Sequence, residues 1–376
     1  MGVRSGLLTY GLGHATTGIS RYTAELARAL ASLEGGPQLA LLTAGGPGPL
    51  VGMGLDRAAL PGCRLLPGLM TLGNAEIPLL ARRMGLDIVH DPIGVAPFLF
   101  GAGGARSVVT VHDAFPWVYP ATSTLLESLV YRHWLPRMLP RVDAVITDSQ
   151  ASRADIAQYL KVSPVRIKAI PLGVNDAYRP ASPHRVAEVA SRYGLPGGYI
   201  LYLGSTRKHK NLAGLLSAYD RLQGMGPTPP LVLLGVSPQE CAAVLVEILG
   251  DSGLQQSIAG ITHVAEADLP ALYSGARLLV RPVLYEGFGL PPLEAMACGT
   301  PVVCSNVASL PEVVGDAAIT VDPADVEALA GAMQRVLSDR DLHQELRRRG
   351  LERAAGFTWE RAARQTVAVY EGMLRG

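Results

Sequence analysis

The sequence predicts two α/β domains, each built on a parallel sheet, and three observations carry that prediction. Short apolar runs rich in Val, Ile and Leu recur at 6–10, 39–43, 87–90, 107–111 and 143–147, and again at 199–203, 230–235, 277–281 and 301–304. Strands buried on both faces read this way, as continuous apolar runs instead of alternating ones. Helical patterns fill the intervals, as the crossovers of a parallel sheet require. The length, 376 residues, corresponds to two domains at roughly 100 to 200 residues each.

Composition narrows the class. Hydrophobic residues make up 48% and charged residues 17%, enough apolar material for a core and too little charge for a disordered chain. Thirty-three Lys and Arg against 32 Asp and Glu leave a net charge of +1, so no overall field gathers nucleic acid, and anion binding must be local. Only four residues are lysine, and two of them are Lys208 and Lys210. Cys63, Cys241, Cys298 and Cys304 show neither CxxC spacing nor the density of a disulfide framework and are expected to be reduced core thiols. No apolar run approaches the ~20 residues of a membrane span, and residues 1–8 lack a signal-peptide core, so the expected location is cytoplasmic.

Taken in order, the first five apolar runs give the strands of the first domain, and 44–54, rich in Gly and Pro, reads as a loop. The stretch 170–183 mixes turn residues with little periodicity and places the boundary near residue 174. The remaining runs give the second sheet. Thr358 caps a final amphipathic helix at about 359–374, with Trp359 as its apolar anchor. Two such domains are expected to face a cleft, a common ligand site.

Four stretches carry candidate chemistry. In 284–302 a strand runs into a glycine-containing loop holding Glu286, then into a helix whose first turn can hold Pro291 and Pro292, with Glu294 expected in that first turn. The amides following Glu286 would attract phosphate without net charge. The plainer alternative is that Glu294 only complements the helix dipole and Glu286 is a solvated loop acid. In 202–212 a strand ends in Arg207, Lys208, His209 and Lys210, which could clamp a diphosphate; a charge run is otherwise a solvated face. His112 and Asp113 sit at the tip of a third strand, and a lone His is more often structural. The turn from Gly11 to Tyr22 is glycine-rich but lacks the GxGxxG spacing of a dinucleotide fold.

With these residues in view, the chain resembles the retaining glycosyltransferases of family 4, which have two Rossmann-like domains in the GT-B arrangement. Glu286 and Glu294 form the family's E-x7-E pattern. Gly18 to Tyr22, His112-Asp113, Asp148-Ser149, Pro171 to Val174, Gly204 to Asn211, Leu310-Pro311-Glu312 and Phe357-Thr358-Trp359 extend the likeness over nearly the whole chain. The resemblance implies an acceptor-binding domain at 1–174, joined by the C-terminal helix 357–376, and a donor-binding domain at 175–356. Glu294 would hold the ribose, and Glu286 the donor sugar. The amides of Gly287, Phe288, Gly289 and Leu290 would meet the donor, and Arg207 and Lys210 its diphosphate. His112 would lie beside the sugar, Gly18 in a loop facing the donor, and His263 and Val264 at the nucleobase. Two departures stand out: Pro282-Val283 replaces a Pro-Ser common in relatives, and Lys208 competes with Lys210 for the phosphate role.

The implied function is transfer of a hexose, mannose first, from a nucleotide diphosphate sugar such as GDP-mannose to a glycan or lipid-linked hydroxyl. His112, Arg207, Lys210 and Glu286 would be catalytic, with no metal and no cofactor. Arg- and His-bearing helical residues at 125–139 could rest on a membrane surface, although an ordinary amphipathic packing helix is the first reading. The alternatives are a UDP-sugar-dependent transferase and a non-catalytic sugar-nucleotide sensor. A nicotinamide oxidoreductase would need GxGxxG, and a cofactor-bearing phosphorylase would need a lysine beyond Lys210, where the chain has none.

Overall fold

The computed structural model describes residues 2–10, 12, 18–45, 48–250 and 253–375. It divides into two units, Met1–Gly173 with Thr358–Gly376, and Val174–Phe357. Among the described residues the first unit holds β1 (Arg4–Tyr10), β2 (Gln38–Ala44), β3 (Asp56–Ala59), β4 (Ile88–Asp91), β5 (Arg106–Thr110), β6 (Ala144–Thr147) and β7 (Ile167–Ala169). They form one sheet in the order β3-β2-β1-β4-β5-β6-β7. Every neighbouring pair is parallel.

Leu8, Leu42, Val89, Val109 and Val145, one from each of five adjacent strands, are buried in one cluster with Phe98 and Leu135. The helix Gly18–Ser32 packs on the last helix, Trp359–Arg375. Thr358 caps that last helix through an Arg361 amide at 3.1 Å, and Trp359 is buried. A side chain at Gly173 would meet the Trp359 amide nitrogen at 2.2 Å, which is why only glycine fits where the chain leaves this unit.

The second unit holds β8 (Tyr199–Leu203), β9 (Leu231–Leu234), β10 (Ile258–Ile261), β11 (Ala276–Arg281), β12 (Val302–Ser305) and β13 (Ile319–Val321). The sheet order is β10-β9-β8-β11-β12-β13, again parallel throughout. Ile200, Tyr202, Leu233, Leu278, Val280 and Val303 form its core against Leu216, Tyr219 and Met333 of the covering helices. All four cysteines are free and buried.

Four strands lie outside the sequence expectation: β3, β7, β10 and β13, and they are the four sheet edges. The reason is physical. An edge strand is covered less completely, so it needs no continuous apolar run; β3 reads Asp-Arg-Ala-Ala and β7 reads Ile-Lys-Ala.

Candidate active site

In the second unit the strand order reverses between β8 and β11, the place where open α/β sheets bind ligands. The chain leaves β8 into a 3-10 turn, Lys208–Lys210, and leaves β11 through residues 282–289 into the helix Leu290–Ala297. Asn211 joins the two exits. It takes the left-handed conformation (φ 53°), which asparagine tolerates better than most residues. Its Nδ2 donates to the carbonyls of Pro282 and Pro323, both at 2.9 Å. The Leu284 amide donates to the His209 carbonyl at 2.8 Å, and Ser309 Oγ lies 2.8 and 2.6 Å from the carbonyls of Glu286 and Phe288.

These ties bring Lys210 and Glu286 together: Lys210 Nζ is 3.3 Å from both carboxylate oxygens. Arg281, the last residue of β11, completes the cluster. Its Nη2 and Nε donate to Glu286 Oε2 at 2.5 and 3.2 Å, and its Nη1 donates to the Leu203 carbonyl at the end of β8. Burial works to raise the Glu286 pKa, but the charges of Arg281 and then Lys210 outweigh it and hold the carboxyl down at about 2. Glu286 is therefore a half-buried, ionised group and not a solvated loop acid. The strand run 277–281 contained Arg281 without marking it; the available signal was a buried charge at the inner end of a strand whose other charge, Arg277, is exposed.

Arg207 and Lys208 are exposed, and the Arg207 carbonyl accepts from the Lys210 amide at 2.8 Å. Between the lysines His209 is buried and held neutral, its pKa lowered to about 4 by burial first and by Lys210 next. The charge run is thus not one uniform face. Lys210 turns to Glu286 while Lys208 points outward.

The helix after Glu286 departs from expectation in two respects. Gly289 is its N-cap at φ 116°, so Glu294 is the fifth helical residue and lies in the second turn, not the first. Dipole effects fade within the first turn, which leaves dipole complementation without purchase. Glu294 is instead buried, 3% exposed, and accepts from the Tyr273 hydroxyl at 2.8 Å. Pro291 and Pro292 have no N–H, so two donors of the first turn are missing. An anion at this helix start can use only backbone from Gly287 through Leu290. His263 is exposed and Val264 half-buried in the loop after β10. That loop is pinned by Tyr193, whose hydroxyl lies 3.0 Å from the Ala265 amide and 2.8 Å from Asp268.

In the first unit, His112 follows β5. Its Nδ1 lies 2.8 Å from Asp148 Oδ2 and its Nε2 3.0 Å from the Pro92 carbonyl. Both partners are acceptors, so the ring donates from both nitrogens only as an imidazolium. Burial opposes that charge, but Asp148 and the Pro92 carbonyl outweigh it and the His112 pKa is raised. A ring held this way favours the imidazolium over the neutral form. Tyr22 packs edge-on against it, with centroids 4.8 Å apart. Tyr22 also meets Thr110 at 3.0 Å, and Thr110 meets His90 Nε2 at 2.8 Å. Gly18 is the first residue of its helix, and a side chain there would meet open space. Residues 11 and 13–17 of the glycine-rich turn lie outside the described residues.

The triplet Asp339-Arg340-Asp341 opens the helix Arg340–Ala355, where Asp339 accepts the Leu342 amide at 2.9 Å; it is a helix cap. Among the described residues no helix is long and apolar enough to cross a membrane.

Comparison with known proteins adds the following. The family model described as "Glycosyl transferases group 1" matches residues 195–353, and that described as "Glycosyltransferase Family 4" matches residues 16–178. The O-antigen chain mannosyltransferase B of Escherichia coli is 37% identical over 268 residues, 71% of this chain and 70% of that protein. The MMP alpha-(1->4)-mannosyltransferase of Mycolicibacterium hassiacum is 33% identical over 324 residues, 81% of this chain and 75% of that protein. Among solved structures, Anabaena Alr3699/HepE in complex with UDP and glucose aligns with a TM-score of 0.77 at 17% identity, over 98% of this chain and 99% of that one. That last likeness is one of fold.

Proposed function

Starting from a chain that belongs to glycosyltransferase family 4, the glycosyl transferases group 1, we propose that it transfers mannose, with retention, from GDP-mannose to a hydroxyl of a glycan or lipid-linked acceptor. The donor belongs to the second unit on this reading, and the acceptor to the first. The observation that carries it is the Lys210–Glu286 pair at the ends of β8 and β11, beside a helix start left open by Gly289.

Each group has a proposed task. Lys210 and Arg207 neutralise the diphosphate, with the amides of Gly287 through Leu290 adding positive potential. Glu286 Oε1 accepts from a sugar hydroxyl. Glu294 holds the ribose, and His263 and Val264 flank the base. In the first unit Gly18, the first residue of its helix, is turned to substrate, and His112, its pKa raised beside Asp148, offers positive charge to sugar oxygens.

The step is a front-face substitution. The bond from the anomeric carbon to the diphosphate oxygen breaks, and the acceptor oxygen bonds to that carbon on the same face. The acceptor proton passes to the departing diphosphate oxygen, whose growing charge Arg207 and Lys210 stabilise. The exposed Leu125, Leu126 and Leu129, followed by the exposed Arg132 and Arg137, support peripheral contact with an anionic lipid surface that carries such an acceptor.

A melting panel of nucleoside diphosphates tests the donor. Ligand at a hundredfold its Kd adds about 2.7 kcal/mol to the folded state, so GDP should raise the melting temperature while UDP and ADP do not. A shift with UDP alone would replace mannose from GDP by a UDP-sugar. Arg207→Ala and Lys210→Ala should each slow GDP-mannose turnover by about a hundredfold, and unchanged rates in both would sink the diphosphate assignment.

A further inference from the structure

The two cationic partners of Glu286 are built differently. Arg281 leaves 4% of its side chain exposed and Lys210 leaves 19%. Arg281 spends Nε and Nη2 on Glu286 Oε2 and Nη1 on the Leu203 carbonyl, so its planar fork is held by two neighbouring strands, β11 and β8. Lys210 is a flexible point charge spread over both oxygens at 3.3 Å. We propose that Arg281 is a positioning residue, a built-in counter-ion that keeps Glu286 ionised and aimed so that Lys210 can turn from Glu286 to the anionic diphosphate when the donor binds. This rests on the second unit being the donor site.

The argument is one of charge balance. A diphosphate arriving at Lys210 sets two anions on one ammonium, and a carboxylate left without a counter-ion would repel the ligand or take up a proton. Arg281 removes that conflict, because a guanidinium stays charged throughout the working pH range. The backbone of Glu286 is already fixed, since Ser309 Oγ sits 2.8 Å from its carbonyl. Arg281 occupies Oε2, which leaves Oε1 to accept a hydroxyl once Lys210 moves. The charged and titratable groups that face Glu286 are Arg281 from β11, Lys210 and His209 from the turn after β8, and Tyr202 from β8. His209 is neutral above about pH 4 and Tyr202 is held protonated by burial, so Arg281 and Lys210 set the balance.

The test uses inorganic pyrophosphate as the probe and the Glu286 carboxyl carbon, assigned by difference against Glu286→Gln, as the reporter. In the wild type the carboxyl should stay ionised to about pH 2 whether or not pyrophosphate is bound. Lys210→Ala should lose pyrophosphate binding yet keep Glu286 titrating below the ordinary carboxylate range. Arg281→Met should raise the Glu286 midpoint and weaken pyrophosphate roughly 10- to 100-fold, the range carried by groups that orient a ligating residue. Arg281→Lys should recover only part of both. The double variant Arg281→Met/Glu286→Gln removes the unpaired carboxylate, so it should melt near the wild type and controls for folding.

A low midpoint together with undiminished pyrophosphate affinity in Arg281→Met overturns the inference. So does weakened affinity with an unshifted midpoint, which would mark a merely structural arginine. Failure of the wild type to bind pyrophosphate, or binding untouched by Lys210→Ala, overturns the donor-site reading itself.

Discussion

Tyr370 and His90 lie 280 residues apart in sequence and 2.7 Å apart in the fold, hydroxyl to Nδ1, both fully buried. The contact continues from His90 Nε2 to Thr110 and from Thr110 to Tyr22, which packs against His112. The last helix is therefore tied by a buried polar chain to the side chain expected to serve the sugar.

Tyr370→Phe keeps the ring and removes the hydroxyl, leaving His90 Nδ1 buried without that partner. The expected cost is about 1–3 kcal/mol, a fall of several degrees in melting temperature at roughly 2–4 °C per kcal/mol for a unit of this size. Scanning calorimetry on both proteins decides it; an unchanged melt would mean that water replaces the hydroxyl.

His90 and His112 should respond to pH with opposite signs. Burial lowers the His90 pKa to about 3, so below about 6.5 the unfolded chain takes up a proton that the folded form refuses, and stability falls as pH drops from 6.5 towards 3. His112 is raised despite its burial, through Asp148, so its contribution is present below 6.5 and is lost as pH rises through its folded pKa. Denaturant titrations at several pH values, with His90→Gln and His112→Gln, separate the two slopes. Slopes of the same sign would contradict the paired-acceptor geometry of His112.

Gly289, at the start of the helix after Glu286, has no room for a side chain. At φ 116° an added Cβ would lie 2.7 Å from Leu310 Cδ2. Gly289→Ala should cost about 1–3 kcal/mol in backbone strain and shift the amides from Gly287 to Leu290. The expected result is weaker binding of GDP and of pyrophosphate alike, measured by calorimetry.

Tyr273→Phe removes the 2.8 Å hydrogen bond to Glu294 Oε2. If Glu294 holds the ribose, GDP binding should weaken about tenfold, the equivalent of ~1.4 kcal/mol, while pyrophosphate binding stays level. Equal losses for both ligands would move Glu294 away from the ribose.

Much of this was legible from the chain. The central strands of both sheets are continuous apolar runs because both their faces are covered, and that requirement is visible residue by residue. The Glu286 and Glu294 spacing was equally plain, as was the capped final helix at Thr358. What escaped were the sheet edges, which need no such runs, and residues whose importance comes from a partner far along the chain. Arg281 reads as one charge at a strand end until β8 supplies the Leu203 carbonyl. Asp148 stands in a short polar stretch until β6 sets it beside His112. Glu294 changed its setting because the helix begins at Leu290, which puts it in the second turn.

Sequence by itself determined the class of fold, two parallel α/β units, because burying a strand on both faces is a local demand on composition. It also determined that any anion binding must be local, since a net charge of +1 leaves no general field. Only the tertiary structure decided how that local charge is arranged. Lys208 and Lys210 are near neighbours in sequence, yet the 3-10 turn sends one outward and brings the other to Glu286. Arg281 reaches the same carboxylate from β11, and with Lys210 it holds Glu286 ionised against a burial that works to raise its pKa. Ionisation inside a protein depends on which charges the fold brings within a few ångströms, and no spacing along the chain encodes that distance.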